Sequence, residues 1–311
     1  MKTCLSLALG FLGCLYSFGQ VNTTYIDSLS STMLNIKEEL VKIEDNYYMI
    51  MPYGIAGNIG VYLGKTQVIL IDDQYSILAP RIKEILQTIT DKPVKYIVNT
   101  HFHYDHTNGN KAFGKENSII VAHQNTRERL SRDIVLSSSN PILQKRYEAE
   151  ALPSITFTDS LQLHDGIEIV ELIHCKNAHT DGDVLVHFKK ADIYHTGDVF
   201  VTYGLPFIDE KNGGDLYGII AAMDYLLSVS NNHTKFIPGH GPVCSTTELS
   251  AYRNLLVSIR NQVKGFIKKG WPVEKMIKEV KIDAKIKGVD PKDFIPHVYR
   301  MVLKHEKSRI R

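Results

Sequence analysis

Between Thr100 and Asn110 the chain reads Thr-His-Phe-His-Tyr-Asp-His-Thr-Asn-Gly-Asn, placing three histidines and a carboxylate in six consecutive positions. The run before it, Val94-Lys95-Tyr96-Ile97-Val98-Asn99 bounded by Pro93, is β-branched and aromatic and reads as a buried strand. The cluster therefore sits where a strand ends, which sets it apart from a tag or a loose polar tract. In extended backbone, residues two apart project to one side, so His101, His103 and Asp105 are expected to converge and His106 to diverge. That spacing suits two metal ions, one gripped by His101 and His103, the other by Asp105 and His106. Imidazoles with one carboxylate point to zinc first, with manganese or iron as alternatives.

His-x-His-x-Asp-His after a hydrophobic strand resembles the signature of the metallo-β-lactamase-fold hydrolases, a superfamily of β-lactamases, glyoxalase II thioesterases, lactonases and phosphodiesterases. Many members carry two glycines after the motif, where this chain has Asn108-Gly109. Two metal sites need more ligands than this motif supplies, and the later chain offers them at loop positions following strands. His179 follows the strand ending near Cys175, Asp198 follows the strand at Ile193, and His240 lies between two glycines after Phe236-Ile237. The resemblance implies that His101, His103 and His179 hold the first metal, that Asp105, His106 and His240 hold the second, and that Asp198 bridges them. It also implies that Asp72, at the end of the strand Gln67 to Ile71, supports a ligand histidine from outside, since a ligand imidazole donates its other N–H to an acceptor. Asp73 reads as a turn residue. His195, close to Asp198, is a second candidate for support, and His123, His164, His174, His187, His233, His297 and His305 read as structural.

The order of elements agrees with the fold that this resemblance implies, an α/β protein built as an αββα sandwich with a C-terminal helical appendage. Short β-rich runs from Val41 to Ile71 read as consecutive hairpins. A helix with Ile82, Ile85, Leu86 and Ile89 on one face leads to the strand feeding the motif, and further strands and helices follow over Ser118 to Leu227. A helix is expected over Asn125 to Asp133, and the long connection from Ile134 to Pro153 is a candidate for the substrate-facing rim. After His240, Ser245 and Glu248 form a capping box for a long helix, and two shorter helices are expected after Pro272 and Pro291. Residues 21–244 are read as the hydrolase domain and 245–311 as an extension packed on it.

With 36 Lys and Arg against 34 Asp and Glu in 311 residues, the chain is nearly neutral, and it carries no basic run or aromatic-basic platform of the kind that grips nucleic acid. Residues 1–20, with Lys2 ahead of an apolar stretch from Cys4 to Phe18, read as a signal peptide, too short to favour a membrane span, so export to the periplasm or medium is expected. No transmembrane segment is expected in the mature chain. A lipid anchor at Cys14 fits less well, because Phe11 and Leu12 suit that pattern poorly. Cys175 and Cys244 then remain, and they read as two separate buried thiols rather than a disulfide.

The expected chemistry is hydrolysis of an ester, lactone, amide or thioester in a small molecule by a hydroxide held between two ions, with Asp105 orienting it or passing on its proton. No Gly-x-Ser-x-Gly elbow competes for the role of nucleophile. An iron-dependent sulfur oxygenase and a non-catalytic metal-binding module are the other classes, and a β-lactamase is the alternative within the hydrolases. In one large group of β-lactamases of this fold, a lysine three residues after a cysteine ligand holds the substrate carboxylate. Here Asp198 is followed by Val201 and by no Lys or Arg before Lys211, so the Tyr203 to Ile208 rim is expected to suit an uncharged, apolar group and β-lactams to be poor substrates.

Overall fold

The computed structural model describes residues 35–136, 142–283 and 285–308. The signal segment, Cys4, Cys14, most of the lead-in before Lys37 and the Ser137-to-Pro141 part of the long connection lie outside these residues.

Two sheets face each other. The larger begins as an antiparallel meander of β1 (Glu38–Glu44), β2 (Tyr47–Pro52), β3 (Ile59–Leu63) and β4 (Val68–Ile71). It continues in parallel through β5 (Val94–Asn99) and β6 (Ile119–His123) to β9 (Ile155–Phe157). The helix α1 (Ala79–Gln87) makes the crossover between β4 and β5 that a parallel pair requires. The smaller sheet joins β10 (Ser160–Asp165), β11 (Glu168–Cys175), β12 (Asp183–Phe188) and β13 (Ile193–His195), with β14 (Lys235–Ile237) parallel at its end.

Side-chain alternation along the strands divides the core into layers. In β4, Val68 and Leu70 pack outward with Ile82 and Leu86 of α1, while Ile69 and Ile71 pack inward. In β12, Val184 and Val186 meet that inner layer, and Leu185 faces the other way, onto α5 (Leu216–Val229) and the C-terminal helices. The fold is therefore helix, sheet, sheet, helix. Both faces of the central strands are covered, which is why β4 reads as an unbroken apolar run.

The C-terminal helices belong to the outer layer. In α6 (Thr246–Lys268), Ser245 and Glu248 form the expected capping box, and Leu249, Tyr252, Leu256, Ile259 and Val263 are buried at helical spacing. Truncating fully buried Leu256 to alanine would cost about 2–5 kcal/mol. The helix α7 spans Val273–Glu279. The last helix, α8 (Pro291–Ser308), is not short: it runs 18 residues and carries Pro296 in its interior, where the ring removes one helical N–H bond. The helix expected over Asn125 to Asp133 is α4 (Gln124–Leu130), lying between the single turns α2 (Tyr104–Thr107) and α3 (Asn110–Gly114) and the hairpin that follows. The side chain of His123 accepts the Asn125 N–H and caps α4, a structural role for that histidine. Cys175 and Cys244 are free and buried in one apolar cluster. Among the described residues no helix is long and apolar enough to cross a membrane.

Candidate metal centre

Every candidate ligand lies at one edge of the sandwich, where strands end. β4 delivers Asp72, β5 delivers His101 and His103, the β11–β12 loop carries His179, and Asp198 and His240 follow β13 and β14. The extended backbone does not continue past His103. Tyr104–Thr107 is a single helical turn, which corrects the expectation that His106 diverges. The turn swings His106 into the centre, fully buried, while Asp105 stays at the mouth with about a fifth of its side chain exposed. Asn108 has ordinary helical φ of −68°, so its turn needs no glycine, and its side-chain Oδ1 accepts hydrogen bonds from the Ser76 N–H and hydroxyl.

The seven residues meet as three overlapping groups: His101, His103 and His179; His101, His106 and Asp198; and Asp105, His106 and His240. Within each group the nitrogen and oxygen atoms lie within 4.8 Å of one another. His103 Nδ1 and His179 Nε2 are 2.9 Å apart. On the other side, His240 Nε2 is 3.2 Å from Asp105 Oδ2, and His106 Nε2 is 3.4 Å from His240 Nε2. Asp198 stands between, with Oδ1 3.1 Å from His106 Nε2 and Oδ2 3.7 Å from His179 Nε2.

The outer nitrogens decide what the inner ones can do. His106 Nδ1 donates to Asp72 Oδ2 at 2.8 Å, and His179 Nδ1 donates to the Phe207 carbonyl at 2.8 Å. His103 Nε2 is 3.1 Å from Asp209 Oδ2. His101 Nδ1 lies 3.0 Å from Thr100 Oγ1, whose own hydrogen goes to Asp72 Oδ2 at 2.7 Å. With these four outer nitrogens protonated, the inner nitrogens of His101, His103, His106 and His179 carry a bare lone pair whenever the rings are neutral. Two such lone pairs 2.9 Å apart repel unless a cation lies between them. Buried His101 Nε2, which has no hydrogen-bond partner among the described residues, is satisfied in the same way. The donor set of imidazoles and carboxylates thus fits divalent metal.

The charges agree. Burial, reinforced by His106, His103 and His179, holds His101 well below the usual histidine value, and burial with His103 brings His179 down to about 4. Burial alone would raise Asp105 and Asp198, yet the histidines beside them outweigh it and keep both carboxylates ionised.

Asp72 lies behind His106 and also accepts from the Thr100 N–H at 2.7 Å. His195 does not sit beside a candidate ligand in this way. It is buried, and its Nδ1 accepts the Gly197 N–H at 3.2 Å. Asp73 is not a surface turn residue either: it is wholly buried behind Gly109, where burial and the charge on Asp72 raise its carboxyl well above the usual range. The sequence reading missed Asp209, fully buried and also bonded by Asn212 Nδ2 at 2.7 Å. The available signal was the requirement for one acceptor per ligand histidine, applied to the acid that ends the apolar run Tyr203 to Ile208.

A cleft of about 630 Å³ opens onto His103, Asp105, Asp198 and His240. Its walls include Ile55 from the β2–β3 turn, Tyr203 and Phe207 from the rim loop, and Leu136 and Ile142 from the Ile134 to Pro153 connection. That connection forms a small hairpin of β7 (Ile134–Val135) and β8 (Leu143–Gln144) at the rim. Lys287, from the C-terminal extension, also lines the cleft, which corrects the expectation of a rim without a cation.

The family model of the metallo-beta-lactamase superfamily matches residues 53–255. The chain belongs to this superfamily. It is 27% identical over 195 residues to a probable metallo-hydrolase of Methanocaldococcus jannaschii, covering 61% of this chain and 90% of that one. It is 24% identical over 261 residues to a linear primary-alkylsulfatase of a Pseudomonas strain, covering 71% of this chain and about half of that protein, 48%. Among solved structures, a metallo-beta-lactamase from Pontibacter korlensis superposes with a TM-score of 0.59 at 20% identity, over 71% of this chain and 99% of that one. The sec-alkylsulfatase Pisa1 from Pseudomonas superposes at 0.62 and 13% identity, over 86% of this chain and 50% of that one. These superpositions support the αββα fold, and the superfamily's named members are hydrolases.

Proposed function

We propose that this chain is an exported, zinc-dependent hydrolase with two metal ions, cleaving an ester-class bond in a small molecule with an apolar portion. The observation that carries the reading is the convergence of one ring nitrogen each from His101, His103, His106 and His179, with one Asp198 oxygen turned toward each half of the centre. His101, His103 and His179 would hold one ion, Asp105, His106 and His240 the other, and Asp198 would touch both. Divalent ions bound there would supply electrophilic polarisation of the scissile group and acidify water. The chain's own part is to orient the substrate and move the proton. Asp105, anionic and at the mouth, is placed to take a proton from the attacking water and return it to the leaving group. Ile55, Leu136, Ile142, Tyr203 and Phe207 would shed water around an apolar acyl or alkyl group.

Likeness to alkylsulfatases together with these apolar walls favours a second reading of the same centre, in which the scissile bond is a sulfate ester on an alkyl chain. The deciding experiment is turnover of aryl esters, lactones, thioesters, alkyl sulfates and β-lactams by protein beginning near Val21, purified without added metal and then loaded separately with zinc, manganese or iron. Hydrolysis by the zinc form that disappears on chelation supports the proposal. Absence of turnover in all three metal forms, or turnover indifferent to chelation, rejects it.

A further inference from the structure

The family match ends at residue 255, yet the chain beyond it reaches the cleft. Leu205 forms a parallel bridge with Gly288: the Leu205 N–H donates to the Lys287 carbonyl at 2.8 Å, and the Val289 N–H donates to the Leu205 carbonyl at 3.1 Å. The approach is close enough that a Cβ on Gly204, which has φ of +127°, would fall 2.1 Å from the Lys287 oxygen. A few residues on, Glu210 of the same loop is held by Arg300 and His297 of α8. Between these two anchors lie Phe207, whose carbonyl supports His179, and Asp209, which supports His103. The extension thus pins the loop that orients two candidate ligands, and in doing so sets Lys287 on the cleft wall.

Among the described residues that line the cleft, Lys287 is the one lysine or arginine. Residues 245–311 contain sixteen Lys and Arg against seven Asp and Glu, whereas residues 1–244 contain twenty against twenty-seven. A cation on the wall, within a segment of strongly positive charge, attracts anions toward the opening and holds them at one place. The other walls are apolar.

We propose that the C-terminal extension is part of the substrate site, and that Lys287 selects small amphiphilic substrates bearing an anionic group, a carboxylate or sulfate, alongside their apolar portion. This rests on the hydrolase reading for its substrate but not for its binding step. Lys287 is exposed, so its attraction is screened by water, and a modest effect is expected.

The test compares zinc-loaded wild type with Lys287→Ala, Lys287→Glu and Lys287→Arg. Calorimetry measures binding of octyl sulfate and of 1-octanol, and kcat/KM is measured for 4-nitrophenyl hexanoate and the mono-4-nitrophenyl ester of adipic acid, which differ by a terminal carboxylate. Lys287→Ala is expected to weaken octyl sulfate binding about three- to fivefold and leave octanol unchanged, with Lys287→Glu weaker still and Lys287→Arg close to wild type. The anionic ester should lose kcat/KM by the same factor, and added salt should erase the wild-type preference for it. Equal effects of Lys287→Ala on charged and neutral ligands, or no effect on either, overturn the proposal. If neither ester turns over, carboxylic esters are excluded as the substrate, and the octyl sulfate comparison still decides the role of Lys287. Retention of the sulfate difference without the adipate difference assigns the anion to the scissile end, and the reverse assigns it to the far end.

Discussion

Replacing Asp72 with asparagine keeps the shape of the side chain and removes one acceptor oxygen. Asp72 Oδ1 takes the Thr100 N–H, while Oδ2 takes both the Thr100 hydroxyl and His106 Nδ1–H. With the amide oxygen kept on Thr100 N–H, the new NH₂ faces His106 Nδ1. Two donors then oppose each other in a fully buried place, and the ring relieves the conflict by shifting its proton to Nε2. That proton points at Asp198 and Asp105, on the face where a metal would need the lone pair. Losing one charge-assisted hydrogen bond costs about 1.5–3 kcal/mol, or roughly ten- to a hundredfold in affinity, in line with the usual effect of removing the outer partner of a ligand histidine. The loss should fall on one ion, the one held by Asp105, His106 and His240. The paired control is Asp209→Asn, which makes the same change behind His103 and should weaken the other ion. The assay is titration of each variant in zinc buffers of fixed free concentration, with bound metal counted by elemental analysis and folding checked by circular dichroism. Asp72→Asn with two ions bound at wild-type affinity would refute the argument, as would the two variants losing metal in an identical pattern.

Other expectations follow from single contacts. In Gly57→Ala the new Cβ would lie 2.3 Å from His106 Cε1, on a ring fixed from behind by Asp72; a loss of about 1–3 kcal/mol in urea unfolding and a lower zinc stoichiometry are expected, and an unchanged metal content would count against the packing argument. Burial lifts the Glu38 carboxyl to about 7 against an ordinary 4.5, with Arg81 only partly offsetting it, so folding stability should fall as pH rises between those values. Glu38→Gln should therefore raise Tm at pH 8 and leave it unaltered near pH 4, and an equal gain at both would reject that origin. Mass spectrometry of protein from the native host is expected to find a mature N-terminus near Gln20 or Val21, whereas an intact Met1 in the cytoplasmic fraction would argue against export.

What the sequence made legible was whatever depends on local pattern. The alternation of β-branched runs with turns placed the strands, because a strand buried on both faces leaves an unbroken apolar run such as Val68–Ile71. The seven residues brought together at the sheet edge were all marked beforehand, since each follows the end of a strand within a few positions. Ser245 and Glu248 announced the long helix because a capping box is written in four consecutive residues. The turn at Tyr104 was less accessible. A single helical turn has no room to show a period, and an extended reading of His101 to His106 turned His106 to the wrong side.

The residues that sequence reasoning missed share a physical reason: their roles depend on chain segments that meet only in three dimensions. Asp209 is 106 positions from His103, and nothing around it announces a buried carboxylate. Asp73 reads as a turn acid next to Asp72, and only the approach of Gly109 encloses it. Lys287 was hidden further, because it lies in a segment that packs as an appendage by composition and helix pattern. A search for a substrate-binding cation along the loop after Asp198 could not find it, since that loop carries its cation at second hand, through the Leu205–Gly288 bridge. The same bridge explains why the extension cannot be treated as separable from the chemistry. The loop from Tyr203 to Glu210 holds Asp209 and the Phe207 carbonyl against two inward-facing histidines, and it is anchored on both sides by residues beyond 285. Cutting the chain after α6 would expose the apolar layer built on Phe294, Ile295, Val298 and Val302, and would also release the outer support of His103 and His179. Metal affinity and stability should therefore fall together in such a truncation, whereas Lys287→Ala, which keeps the bridge, should separate substrate charge preference from both.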